Sequence, residues 1–149
     1  MVMIMQTAGL DVTPGEMNTI KKENDWYYGR GVDWRSVNWY VDKLGRSENP
    51  PLRLQEYIKP NDERPTVNAS DMDQYLDGSH LIAARVDNPS SGGHHWVVVT
   101  RKDGGTYQIQ DPGGPTASGG YERNTLSESN GEGSYGGDVN KFVVYNLNP

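Results

Sequence analysis

The sequence contains no cysteine, only one phenylalanine and no apolar run long enough to span a membrane. Without cysteine the chain can form neither a disulfide nor a thiolate zinc site, and its redox compartment stays open. A transmembrane helix needs about 20 consecutive apolar residues. No membrane span is therefore expected, and Met1–Met5 is too short and lacks the flanking charge for a signal peptide.

Basic residues are also scarce, since 14 Lys and Arg stand against 20 Asp and Glu and give a net charge of −6. Without a Lys/Arg block, no nucleic-acid partner is expected. What the chain has in abundance is glycine, with 18 residues, and aromatic residues, with nine Tyr and four Trp. This composition predicts one folded domain over residues 1–149 with long polar loops.

Helix signals dominate the first half of the chain. The stretch TPGE, Thr13–Glu16, combines a capping box with proline at the first helical position and predicts a helix to about Asn24. Helical spacing of apolar residues in Asp33–Gly45 predicts a second helix, capped by the aspartate and ended by the glycine. A second capping box, Ser70–Asp73, predicts a third helix that Gly78 stops.

Strand signals dominate the second half. His80–Val86 is predicted to be a buried strand and Lys141–Leu147 a closing strand, whereas Leu52–Ile58 fits either a strand or a short helix. Thr116–Asp138 is rich in Gly, Ser and Asn and predicts a long loop. Helices first and strands later favour an α+β fold, with N-terminal helices packed on a C-terminal antiparallel sheet.

The first residues are unusual for the start of a helix. Met1–Ala8 is apolar, has no N-cap, and stops at Gly9, which suits a helix C′ position. We interpret it as the rear of a longer buried helix, with an N-terminal strand as the alternative, because isolated helices of about two turns are marginal. An exposed apolar segment here would favour self-association.

A hairpin is predicted in GGHHWVVVTRKDGGTYQIQDPGG, Gly92–Gly114. A three-residue loop, 103–105, would put His95 and Asp111 on one face because side chains alternate along a strand. That face is otherwise apolar, with Val97, Val99, Tyr107 and Ile109. In this register Lys102 lies opposite Thr106, and loops of two or four residues would mix the two faces.

His95 and Asp111 are then diagonal neighbours, about 7–8 Å apart at the backbone, which their side chains can bridge. An aspartate there would orient the imidazole and stabilise its protonated form, as a general base requires. The alternative is a pair that merely closes the end of the sheet. His94 and His95 point to opposite faces, so a metal site using them or His80 is disfavoured, and no metal or cofactor is expected.

Four segments of the chain, taken in order, resemble segments of one family. GHHWVVVTRKDGGTYQIQDPGG is similar to the His and Asp strands of papain-like cysteine peptidases of the bacteriocin-processing, double-glycine group. YLDGSHLIAARV resembles the lead-in to that histidine, and VMIMQTAGLDVTPGEMNTIKKENDWYYGRGVDWRSV resembles the N-terminal region. The resemblance covers nearly the whole chain except the glycine-rich tail loop.

The resemblance implies that His95 is the catalytic histidine and Asp111 the acid that orients it. The family places its nucleophilic cysteine at the start of the first long helix, where the helix dipole lowers the thiol pKa. This chain has no cysteine, so we expect a truncated first helix, with a C-x-x-[TS] motif encoded a few residues before Met1. The chain as given is expected to be an inactive cysteine-peptidase-like domain whose parent hydrolyses peptide or amide bonds; natural loss of the cysteine remains the alternative.

A non-catalytic module on the same fold is the alternative function. Its cleft would bind a peptide or glycan, with Trp26, Tyr27, Tyr28 and Trp96 as the predicted substrate contacts. Core packing is the alternative role for these aromatic side chains. We expect that role more strongly for Trp34 and Trp39 than for Trp26–Tyr28.

Overall fold

The computed structural model of the chain describes residues 1–28, 31–46, 49–87, 93–111, 125–126, 134–135 and 139–148. The helices are α1 Val2–Thr7, α2 Pro14–Glu23, α3 Ser36–Lys43 and a 3₁₀ helix, Ala69–Tyr75. The strands are β1 Tyr27–Tyr28, β2 Gly31–Val32, β3 Leu52–Ile58, β4 His80–Asp87, β5 His94–Asp103, β6 Thr106–Gln110, β7 Thr125–Leu126, β8 Ser134–Tyr135 and β9 Val139–Leu147. Helices and a largely antiparallel sheet are mixed, which confirms the α+β class.

The residue contacts divide into two compact units. The first, the helical unit, comprises Met1–Gln55 and Tyr145–Pro149, and the second, the sheet unit, comprises Glu56–Val144. A single domain over the whole chain stays a prediction.

The N-terminal segment is helical, so the alternative of an N-terminal strand is wrong. α1 ends at Thr7 with Ala8 as its C-cap, and Gly9 follows with φ of 77°, the left-handed conformation that suits a residue without a side chain. Ile4 and Met5 are fully buried in the helical unit. The premise of an exposed apolar segment that drives self-association is therefore wrong at these two residues, because their side chains already pack inside the chain.

α2 begins as its sequence predicts. The Thr13 hydroxyl accepts the Glu16 N–H at 3.2 Å, and the Glu16 carboxylate accepts the Thr13 N–H at 2.8 Å. These reciprocal bonds satisfy two of the N–H groups that a helix start leaves unpaired. The hydrogen bonds from Thr13 hold the pKa of Glu16 below its ordinary value. Met17 and Lys21 form the buried side of the helix, and burial lowers the pKa of Lys21 to about 8.

The start of α3 differs from the prediction. The helix begins at Ser36, and Asp33 does not cap it. The Asp33 carboxylate instead accepts the backbone N–H of Arg35 at 2.9 Å and pairs with the Arg35 guanidinium, so the aspartate is used in the turn before the helix. The end is as predicted, because Gly45 has φ of 70° directly after the C-cap Leu44.

The strands of the main sheet follow the order β3-β9-β4-β5-β6-β7-β8. Leu52–Ile58 is therefore a strand, and the strands predicted at His80–Val86 and Lys141–Leu147 are confirmed within β4 and β9. The loop prediction is wrong at β7 and β8, since β7 pairs with β6 and buries Leu126 completely. Apart from β7 and β8, the residues of Thr116–Asp138 lie outside the described part of the chain.

The helix between β3 and β4 is a 3₁₀ helix with a different cap from the predicted one. Asn68 and Asp71 form the capping box, not Ser70 and Asp73. Asp73 is committed to tertiary contacts, since its carboxylate accepts the Lys102 ammonium at 2.6 Å and the Tyr107 hydroxyl at 2.7 Å. Burial opposes the ionised carboxylate, but these bonds prevail and lower the pKa of Asp73.

The core of the sheet unit lies on one face of the sheet. It consists of apolar side chains from the central strands and of Met72 from the 3₁₀ helix. Its strand members include Ile82, Ala84, Val86, Val97, Val99, Tyr107, Ile109, Phe142 and Val144. Because alternate residues of a strand share a face, the next residue on this face after Val97, towards the start of β5, is His95.

Candidate active site

The β5–β6 hairpin closes with a tighter turn than predicted. Asp103 lies opposite Thr106, so only Gly104 and Gly105 form the loop, and Lys102 lies opposite Tyr107. Gly104 has φ of 61°, which a two-residue hairpin turn needs and glycine adopts without strain. The predicted three-residue loop and the pairing of Lys102 with Thr106 are therefore wrong.

A β-bulge compensates for the tighter turn. The register shifts between Val99 and Arg101, and beyond the shift Val99 lies opposite Ile109 and Val98 opposite Gln110. A bulge adds one residue to one strand and so exchanges its faces relative to its partner. If this register continues by one residue beyond Gln110, Asp111 lies opposite Val97. The predicted register, with Lys102 opposite Thr106, gives the same pairing at this end of the hairpin.

His95 and Asp111 are in direct contact. His95 Nε2 lies 2.6 Å from Asp111 Oδ1, and their side chains are 19% and 4% exposed. The predicted neighbourhood of the two residues is thus confirmed, while their catalytic role stays a prediction. A short contact between a nearly buried carboxylate and a partly exposed imidazole fixes the ring while leaving solvent access to the site.

The contact also determines which ring nitrogen of His95 faces the carboxylate. Because Asp111 accepts from Nε2, any proton exchanged with a reacting group would pass through Nδ1 of His95. The pair can therefore act as a general base and then as a general acid, but it supplies no nucleophile, and the chain has no thiol.

The other two histidines also pair with carboxylates, through the opposite nitrogen. His94 Nδ1 lies 2.8 Å from Asp87 Oδ1 at the surface, and His80 Nδ1 lies 2.9 Å from Asp77 Oδ1. Hydrogen bonds from Ser79 and His80 hold the pKa of Asp77 far below its ordinary value. Within the described ranges, no group of three or more His, Asp or Glu side chains is close enough to hold a metal ion.

The predicted substrate-binding aromatic residues belong to both units of the chain, and their role as substrate contacts stays a prediction. Trp26 packs on Trp39 in the helical unit, with ring centroids 5.4 Å apart, and Tyr27 beside it is 37% exposed. Trp96 belongs to the sheet unit and is partly buried, and the side chain of Tyr28 lies outside the described residues. Trp39, expected in the core, is only partly buried, because it shares the surface with Trp26.

We expect the three imidazoles to differ in tautomer when they are neutral. His95 should carry its proton on Nε2, and His80 and His94 on Nδ1, because those nitrogens face the carboxylates. Long-range ¹H–¹⁵N spectra at alkaline pH measure this directly, with His80 and His94 as internal references. Asp111→Ala should reduce the Nε2–H population of His95 alone, and a His95 ring protonated on Nδ1 would contradict the described pair.

Comparison of the chain with protein-family models, with curated proteins and with solved structures gives no match in any of the three. No helix among the described residues is long and apolar enough to cross a bilayer.

Proposed function

We propose that this chain is a cysteine-peptidase-like domain of the papain type, which supplies the general base His95 and its orienting acid Asp111 for hydrolysis of peptide or amide bonds. The observation that supports it best is the 2.6 Å contact between the two side chains, on strands whose sequence resembles the His and Asp strands of that family. Because the chain contains no cysteine, we propose that the thiol comes from outside these 149 residues and that the chain alone is inactive.

The proposed reaction uses both states of the imidazole. The thiol proton passes to Nδ1 of His95 while sulfur bonds to the carbonyl carbon of the substrate. The imidazolium then donates this proton to the leaving amine as the C–N bond breaks, and a thioester remains. Water attacks the thioester with His95 again as base and releases the acid and the thiol. Asp111 stays ionised throughout and accepts the Nε2–H.

The test compares two chains expressed from one reading frame. The 149-residue chain should show no turnover of a chromogenic peptide, whereas a chain extended upstream to include the cysteine should hydrolyse it and be inactivated by iodoacetamide. His95-dependent turnover by the 149-residue chain would contradict the proposal. An upstream frame that closes without a cysteine codon would exclude hydrolysis by a thiol and leave a binding function.

The exposed Tyr27 of the helical unit favours a second candidate, a non-catalytic module that binds a peptide or glycan. Tyr27 is exposed beside the packed pair of Trp26 and Trp39, and aromatic faces at a surface bind sugars and apolar side chains. The discriminating result is binding without turnover that His95→Ala leaves unchanged and Tyr27→Ala weakens.

A further inference from the structure

Three cationic side chains lie on neighbouring strands of the sheet unit. Lys59 directly follows β3, Lys141 lies on β9 and Arg85 on β4. The strand order places β9 between β3 and β4, and neighbouring strands are about 4.8 Å apart, so β3 and β4 are separated by roughly 10 Å. We call Lys59, Lys141 and Arg85 the basic row, and all three belong to the sheet unit.

The three side chains also lie at a similar position along their strands. Arg85 Nε donates to Asn140 Oδ1 at 2.7 Å, which places Arg85 beside the residue before Lys141. Pro60, the residue after Lys59, lines one surface groove together with Asn140. The charges are close enough to act on one another, because burial, and after it the charges of Arg85 and Lys59, lower the pKa of Lys141.

The basic row lies on the face of the sheet opposite to the core. Each of its members is the direct neighbour in sequence of a residue that packs in the core; these core residues are Ile58, Val86 and Phe142. Because successive side chains of a strand point to opposite faces, the three cations point away from the core. The ammonium of Lys59 accordingly lies over the ring of Tyr57, with 5.9 Å to the centroid. The basic row is therefore on the face opposite to His95.

This face opens to solvent where the basic row lies. Along β4, the side chains of this face pass from the buried Leu81 and Ala83 to the half-buried Arg85. Lys141 is also half-buried, and Lys59 is exposed. A ligand can therefore reach the three charges from solvent, while partly buried charges are screened less by salt than fully exposed ones.

Within the described ranges, the basic row has no carboxylate partner. β3, β9 and β4 carry two carboxylates, Glu56 and Asp87. Glu56 accepts the Tyr75 hydroxyl at 2.9 Å, and Asp87 lies 2.8 Å from His94 Nδ1. Among the described ion pairs, none includes a member of the basic row. Like charges on neighbouring strands destabilise a sheet, so an anion from solvent would supply the counter-charge that the fold does not.

The charge and the geometry of the basic row suit a phosphate group. A phosphate ester carries about −1.5 to −2 charges near neutral pH, and its oxygens can accept hydrogen bonds from several sides, whereas a carboxylate has one charge and accepts in one plane. Arginine and lysine are the usual phosphate partners in proteins. Asn140 adds a donor, since its Oδ1 is used by Arg85 and its amide nitrogen can donate to the ligand.

We infer that the basic row binds a phosphate group, free or as part of a phosphorylated molecule, with Lys141 and Arg85 as the principal donors and Lys59 at the edge of the site. This inference is independent of the proposed peptidase, because the site lies on the other face of the sheet from His95. The sequence did not indicate it, since the three cations come from distant segments and no motif marks them.

The test uses inorganic phosphate as the probe and the ¹⁵N-labelled 149-residue chain as the receptor, at constant ionic strength. Amide shifts should concentrate around Lys59, Arg85 and Lys141. Phosphate should also raise the pKa of the Lys141 ammonium, followed through its side-chain resonances, because a bound anion favours the charged form. Acetate should bind about tenfold more weakly, the effect of losing one charge-assisted hydrogen bond.

Matched variants locate the binding. Lys141→Gln and Arg85→Gln should each weaken phosphate binding by about ten- to hundredfold, whereas Lys141→Arg keeps the charge and should retain binding. Arg101→Gln is the control, because it removes an exposed cation at the far end of β5, and it should change nothing. Thermal unfolding without phosphate shows that each variant is folded.

The proposal fails if Lys141→Gln and Arg85→Gln bind phosphate as the unchanged chain does, if acetate binds as tightly as phosphate, or if the shifts lie elsewhere. Phenyl phosphate distinguishes the two sources of the ligand. Tighter binding of the ester than of inorganic phosphate identifies a phosphorylated molecule, and equal or weaker binding identifies the free anion; both results retain the site. Hydrolysis by the cysteine-containing chain, or its absence, leaves this result unchanged.

Discussion

Replacing His95 by alanine in the cysteine-containing chain is expected to lower kcat/KM by about 10²- to 10⁴-fold, the range for loss of a general acid–base group. The reason is that this imidazole, oriented by Asp111 at 2.6 Å, would both activate the thiol and protonate the leaving amine. Peptide affinity should change little, so the loss should be in kcat. Steady-state kinetics on a chromogenic peptide measures both parameters.

Asp111→Asn tests the orienting role separately. An asparagine retains the shape of the side chain but not its charge, so the imidazolium is no longer stabilised and the ring tautomer is no longer fixed. We expect a loss of kcat as well, together with a changed pH profile, whereas a merely structural residue would change stability alone. His80→Gln is the matched control, because His80 also pairs with an aspartate but has no role in the proposed reaction. Equal losses in His80→Gln and His95→Ala would refute the assignment.

Truncating Phe142 is expected to give the largest loss of stability. Its side chain is fully buried in the core of the sheet unit, and its ring meets Tyr75 edge to face with centroids 6.1 Å apart. Phe142→Ala should lower the free energy of unfolding by about 3–5 kcal/mol, from lost burial and a residual cavity. A domain of this size is stable by about 5–15 kcal/mol, so the variant should be substantially destabilised in urea titrations.

Two further variants serve as references for the stability loss of Phe142→Ala. Phe142→Leu removes less volume and should cost less than alanine. Tyr57→Ala removes an aromatic ring that is 40% exposed, and surface substitutions of this kind change stability by about 0.5 kcal/mol or less. A Phe142→Ala protein as stable as Tyr57→Ala would show that Phe142 does not belong to the packed core.

The sequence predicts best those features that depend on a few neighbouring residues. The Thr13–Glu16 capping box is formed within one turn, and Gly9 and Gly45 take the left-handed conformation directly after their helices. Gly78 is also left-handed but does not stop the 3₁₀ helix, which ends at Tyr75 with Leu76 as its C-cap. Where two residues compete for one role, the prediction fails. Asn68 rather than Ser70 caps the 3₁₀ helix, since Asp73 is drawn to Lys102 and Tyr107, which lie far away in sequence.

The β5–β6 hairpin contains one feature that the sequence determined and others that only the tertiary structure decided. Alternation of apolar residues by itself determined that His95 and Asp111 share a face, because a strand exposes every second side chain on one side. Only the tertiary structure decided how this is achieved, with a two-residue turn at Gly104–Gly105 and a bulge near Thr100 whose effects on the register cancel. It also decided that Nε2 is the nitrogen that meets Asp111.

The order of the strands in the main sheet is likewise decided only by the tertiary structure. Local propensities act over about one helical turn or one strand, so the sequence determined the helices, most strands and the pairing of His95 with Asp111. β9, the last strand along the chain, lies between β3 and β4. Strand order depends on long-range packing, and no short pattern in the chain records it.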